Sequence, residues 1–279
     1  MPIFDTPEPI SATLELSVGN TRIVASDRTD TSVEVHPSDP AKDADVKLAE
    51  RTRVEYVDGR LVVKAPKQFS PFGRSGSIEV TIEVPTGSHV RGDTGFGEFR
   101  STGLLGECRF KTGFGDLRLD RTGPLHLRTG AGEITVNHAG GRTEATTGSG
   151  SVRIHGIDGA TVVKNSNGDT WIGEVTGDLR ANAANGDVAV RLAHADVAAK
   201  TALGSVRIDE IVRGTTVLES GAGEVEIGIR AGTSAWLDVR TSFGQVRNTL
   251  DAADAPEKSS ETVSVRARTA LGDVVIRRA

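Results

Sequence analysis

Thr112-Gly113-Phe114-Gly115-Asp116-Leu117-Arg118-Leu119 is followed by Thr129-Gly130-Ala131-Gly132-Glu133-Ile134-Thr135-Val136, and then by Thr147-Gly148-Ser149-Gly150-Ser151-Val152-Arg153-Ile154. One phrase is spoken three times: a threonine, a small pair closing on glycine, then an alternating apolar run. Its second glycine recurs at Gly97, Gly115, Gly132, Gly150, Gly168, Gly186, Gly204, Gly223, Gly244 and Gly272. The first seven stand 18, 17, 18, 18, 18 and 18 residues apart, and the last three steps widen to 19, 21 and 28. A near-constant period with glycine at a fixed phase marks a solenoid, in which each repeat stacks on the last.

Within one repeat, the glycine and the small residue two positions before it suit a tight turn with positive φ. Two and four residues after it, Val and Ile dominate, as in Val152 and Ile154 or Val206 and Ile208, with polar residues between. Period-two alternation of this kind is a half-buried strand. A second strand precedes the turn, with inward positions such as Cys108 and Phe110 or Leu125 and Leu127. One unit cannot bury its own apolar face, but stacked units pair in parallel and align their aliphatic side chains in files. The expected fold is an all-β, single-stranded parallel β-solenoid of about ten coils of 18 residues. With aromatics only 4% of the chain, its interior is thin, and a flattened cross-section is expected rather than a wide prism.

Residues 1–90 are β-rich without the period and read as irregular N-terminal coils and a cap; residues 91–279 carry the regular repeats, interrupted by a loop insertion at 250–261. Strands are expected at Ala12–Val18, Thr21–Ser26, Ser32–His36, Arg53–Tyr56, Arg60–Lys64 and Ser77–Val84, with a short helix at Ala41–Glu50 and a loop at Gln68–Gly76. Val57-Asp58-Gly59-Arg60 is a hairpin signal, because Asp-Gly supplies the positive φ of a type I′ turn. The last coil read in order is the one at Gly272, and the three residues after Ile276 are too few to cover a sheet end, so either Arg277 and Arg278 discourage pairing at that edge or another chain or the Asp251–Glu261 loop covers it.

The order LELSVGNTRIVA, VEYVDGRLVVKAP, SIEVTIEVPTGSHV and then TGFGEF, TGFGDLRL, TGAGEITV, TGSGSVRI resembles the bacterial β-strand-repeat family labelled putative adhesin, a domain of unknown function. The resemblance runs from about Ala12 to Ile276. It implies a β-helix-like fold and brings no catalytic or binding residues with it.

Chemistry is sparse. Net charge is −5, with no basic excess for nucleic acid. The single cysteine, Cys108, takes an inward strand position and reads as a plain buried thiol. The acidic residue after each marker glycine falls one position early for a calcium β-roll, which needs it two positions on. No metal or cofactor is expected. No nucleophile elbow, P-loop or dinucleotide motif is present, and no enzyme is expected. Arg91-Gly92-Asp93 spells a short tripeptide of cell-adhesion ligands, weighed here as chance. Trp171, at an outward position, is the best lone binding candidate, with the outward arginines Arg118, Arg153 and Arg207 beside the same phase. Arg100 and Arg247 share that phase, and all are expected in cross-coil ion pairs.

The start carries no secretory leader and no stretch reaches the ~20 apolar residues of a membrane span, so the expected location is cytoplasmic, with the cell surface reached by non-classical export as the alternative. The functional expectation is a non-catalytic structural or protein-interaction solenoid. It would meet an unknown protein partner or self-associate through its end. The alternatives are a self-assembling, cytoskeleton-like β-helix protein and a polysaccharide-binding protein.

Overall fold

A computed structural model describes residues 2–67, 75–250 and 261–279. The chain forms two compact units, Met1–Gly140 and Gly141–Ala279, and both are parallel β-solenoids. The loops expected at Gln68–Gly76 and Asp251–Glu261 fall, but for their last residues, outside the described residues.

In the second unit each rung is one strand, a glycine turn and a second strand in the facing sheet. Thr143–Ser149, Thr161–Asn167, Leu179–Asn185, Val197–Leu203 and Gly214–Ala222 stack in parallel in one sheet. Val152–Ile157, Thr170–Val175, Val188–Ala193, Val206–Ile211 and Val225–Ile229 stack in the other. The registers place Ile154, Ile172, Val190, Ile208 and Ile227 in one vertical file, and all five are buried. Each such burial is worth roughly 1.5–3 kcal/mol, which a rung standing alone would forgo.

The turn needs glycine for two reasons, both visible at Gly168. Its φ is +128°, and a Cβ there would run into the carbonyl oxygen of Gly150 in the neighbouring rung. That carbonyl also accepts a bond from the side-chain amide of Asn165 at 3.0 Å. Where the same position is Thr or Ser, the hydroxyl does the work: Thr201 donates to Gly186 O at 2.9 Å and Ser220 to Gly204 O at 2.7 Å. The recurring residue three before the glycine is therefore a tie between rungs.

In the first unit, Ser11–Ser26 is one continuous strand of 16 residues, where two were expected. Its first half pairs with Arg60–Lys64 and His89–Phe96, and its second half with Ile78–Pro85 and Phe99–Thr102. It crosses between the sheets at Gly19 without a loop and makes a whole rung, set between two rungs that come later in the chain. Beyond it the strands turn antiparallel: Asp30–Pro37 on Ile78–Pro85, Arg53–Val57 on Arg60–Lys64, and Ile3–Asp5 on Asp30–Pro37. The helix expected at Ala41–Glu50 spans Asp43–Arg51, and Asp58 and Gly59 turn with φ of 48° and 74°.

Towards Ala279 the rung order departs from the expected winding. Thr262–Leu271 pairs on one side with Gly214–Ala222 and on the other with Ser234–Phe243. Val274–Arg278 likewise lies between Val225–Ile229 and Val246–Asn248. The rung at Gly272 is thus interior, and the outermost rung is Ser234–Phe243 with Val246–Asn248. The expectation that the chain's last coil ends the stack is corrected. In this order the last coil's inward residues Val263, Val265, Ala267, Val274 and Ile276 are all buried, and the outer coil places Asn248 in register with Ile276.

Candidate interaction site

The outermost rung of the second unit has a distinct surface. Among the described residues, no strand pairs with the free edge of Ser234–Phe243 or of Val246–Asn248. The strand is 10 residues long and carries no proline. Edge strands elsewhere are kept short or broken because unpaired N–H and C=O groups recruit another strand. Its inward residues Ala235, Leu237, Val239 and Thr241 lie in register with buried Val263, Val265, Ala267 and Thr269, yet are only half-buried themselves. Trp236 is 68% exposed, Phe243 73% and Val246 43%.

A second feature joins it. The residue just before each marker glycine points out of the turn. Leu203, Ala222, Leu271 and Phe243 occupy this position in successive rungs, in register. Leu203 and Leu271 are 57% and 54% exposed. The result is an apolar ridge that runs along the turns and ends at the open rung. In the preceding rungs the same file holds Asn185 and Asn167, whose side chains are joined by a hydrogen bond from Asn185 Nδ2 to Asn167 Oδ1 at 2.9 Å, so within the second unit the ridge is confined to the open end. The first unit has its own exposed pair at this phase, Phe96 and Phe114, stacked with centroids 5.1 Å apart.

Charge frames the outward face of the open rung. Asp238 takes Arg240 at 3.5 Å, Arg266 at 3.3 Å and Arg268 at 3.5 Å, so one carboxylate serves three guanidinium groups.

The residues singled out from sequence lie elsewhere. Trp171 is half-buried on its sheet, edge-on to His155 with centroids 5.0 Å apart, and covers Gly173, whose Cβ would stand 3.1 Å from its ring. Arg153 stands beside Trp171 in register. Arg118 is held by Asp116 at 2.7 Å and Glu98 at 3.3 Å, and Arg207 by Asp209 at 2.6 Å and Glu226 at 3.3 Å. Within the second unit Arg153, Trp171 and Arg207 stand in one outward row, with Ala189 between Trp171 and Arg207; Arg118 belongs to the first unit. The ridge was not read from sequence, though its signal was there: a large apolar residue at an outward phase in Leu203, Leu271 and Phe243.

Other candidates acquire structural duties. The acidic residue after the marker glycine receives the backbone N–H of the next rung: Asp169 from Asp187 at 2.9 Å, Asp187 from Ser205 at 2.7 Å, and Asp273 from Gln245 at 2.9 Å. Asp116 accepts from Glu133 N at 2.9 Å. Such a carboxylate is a rung clamp rather than a solvated row. Arg91-Gly92-Asp93 lies inside the strand His89–Phe96, paired on both sides. Its Gly92 faces Phe99 and Phe110, where a Cβ would stand 2.6 Å from one ring and 2.9 Å from the other, so the tripeptide is not presented as a loop. Cys108 is buried, and burial pushes its thiol up to about 12. Among the described residues no three His, Cys, Asp or Glu side chains gather as a metal-ligand group, and no helix is long and apolar enough to cross a membrane.

A family model described as Toastrack DUF4097 matches residues 12–277. No curated protein matches the chain. Among solved structures, it is similar to a putative adhesin from Bacteroides fragilis NCTC 9343, at 10% identity over 99% of this chain and 95% of that one, with a TM-score of 0.37. It is also similar to a putative adhesin from Parabacteroides merdae ATCC 43184, at 10% identity over 100% and 95% of the two chains, with a TM-score of 0.38.

Proposed function

The chain belongs to the Toastrack DUF4097 family, and on that footing we propose that it is a non-catalytic interaction module whose working surface is the open rung Ser234–Asn248 with the apolar ridge beside it. One observation carries the reading. Among the described residues, an unpaired strand edge, half-covered core residues and the exposed side chains of Trp236, Phe243, Leu271 and Leu203 all meet at one end of the second unit. A partner strand laid on that edge would complete the backbone bonds and cover the apolar side chains together, which is binding by β-augmentation. A non-catalytic role is supported by the acidic residues, which are spent on rung clamps and ion pairs. A polysaccharide-binding role has less support, since Trp171 lies packed on its own sheet rather than in a groove.

The test is photo-crosslinking inside the producing cells, with a benzophenone side chain at position 236, 243 or 271 and a control at position 100. The reading expects protein adducts from the first three positions only. Equal labelling from position 100, or turnover of any compound in a panel of hydrolase and lyase substrates, would contradict it.

A further inference from the structure

The open rung carries a charge pattern, Asp238-Val239-Arg240, that is complementary to its own reverse. From Ser234 to Ser242 the inward residues are odd-numbered and the outward ones even-numbered, and residues directly opposed in an antiparallel pair must share a face. Two copies of this strand laid antiparallel can therefore meet only in registers related by two-residue slips. With Val239 opposite Val239 of the second copy, Asp238 faces Arg240 and Arg240 faces Asp238. A slip one way sets Asp238 against Asp238, and a slip the other way sets Arg240 against Arg240. Like charges directly opposite are destabilising, so a single register near the strand centre is favoured.

We infer that the chain forms a two-fold symmetric dimer in which Ser234–Phe243 of one copy pairs antiparallel with the same strand of a second copy, centred on Val239. This names the partner of the surface proposed above and rests on that reading. The register also sets half-buried Leu237 opposite Thr241 and brings Ser242 against exposed Trp236. Each Asp238, which already takes Arg240, Arg266 and Arg268 of its own chain, then also faces Arg240 of the second copy. An isologous contact closes at two copies.

Sedimentation velocity of the purified full chain over a wide concentration series tests this. A concentration-dependent dimer is expected, with a blue shift of Trp236 emission on association in a Trp171→Phe background. Arg240→Glu should raise the dissociation constant at least tenfold with no loss of Tm, since its new carboxylate lies in register beside Arg268 within its own chain. Asp238→Lys should weaken self-association likewise. An equimolar mixture of the two variants should recover a heterodimer, because each new charge then faces its opposite. A chain that stays monomeric throughout overturns the inference, as does a dimer indifferent to Arg240→Glu. A monomer that still yields crosslinks from position 236 to another protein would remove the dimer and leave the interaction module standing; a monomer without crosslinks from positions 236, 243 and 271 would remove both.

Discussion

The hydroxyl of Thr269 donates to the carbonyl oxygen of Gly223 at 2.9 Å, across 46 residues of sequence. Thr241 makes the same bond to Gly272 at 2.8 Å. The pair of ties orders the last rungs: the one at Gly272 sits on that of Gly223, and the one at Gly244 sits outside both. Val265 is then interior and Val239 is not. Val265→Asp should cost at least about 3 kcal/mol, because it buries an unpaired charge. Val239→Asp, at the half-open edge, should cost about 1 kcal/mol or less in dilute solution. Urea unfolding of the two variants measures the difference, and equal costs would count against this rung order.

The turn glycines do not all matter alike. Gly168 combines positive φ with a neighbouring backbone carbonyl in the path of any Cβ, whereas Gly59 has φ +74° and nothing within 4 Å. Gly168→Val should lose at least about 1–3 kcal/mol. Gly59→Ala should lose only the intrinsic left-handed penalty of about 1–2 kcal/mol. Paired thermal melts decide whether the close approach of rungs adds the expected extra.

Thr216 lies in a buried file between Val197 and Val265, and its hydroxyl has no hydrogen-bond partner. Replacing it with the isosteric valine removes a desolvated oxygen and leaves the shape unchanged. Thr216→Val should therefore be neutral or stabilising by about 1 kcal/mol. Thr201→Val, which breaks the bond to Gly186 O, should destabilise by about 1 kcal/mol. Chemical denaturation that ranks the two the other way would contradict the distinction between tie and passenger.

Burial lifts the Cys108 thiol from 9.0 to about 12. The folded state then holds its proton through a window in which the unfolded chain releases it. The contribution to stability is complete below about pH 9 and is lost progressively as pH rises from there towards 12. At pH 8 alkylation of the native thiol should be far slower than in denaturant. A native rate within a few-fold of the unfolded rate would show that the thiol is exposed.

Much of this architecture was legible because the repeat encodes it residue by residue. The glycine phase announces the turn, Val and Ile at alternate positions announce the files, and Asp58-Gly59 announces its hairpin. Two things were hidden for physical reasons. Rung order is set by which coil buries more apolar surface, so Ser11–Ser26 and Thr262–Leu271 each slot between rungs that chain order would make neighbours. No local pattern reports that competition. The site was half visible: an outward tryptophan is a fair signal, but Trp171 and Trp236 share it, and only the end of the stack separates a packed ring from an exposed one.

The most direct measurement is a set of cross-strand amide and Hα nuclear Overhauser contacts in the second unit. The rung order predicts that Thr262–Leu271 shows contacts to both Gly214–Ala222 and Ser234–Phe243, with Val265 linked to Thr216 on one side and to Leu237 on the other. Contacts running directly from Gly214–Ala222 to Ser234–Phe243, with Thr262–Leu271 outermost, would contradict it and move the open edge away from the proposed site.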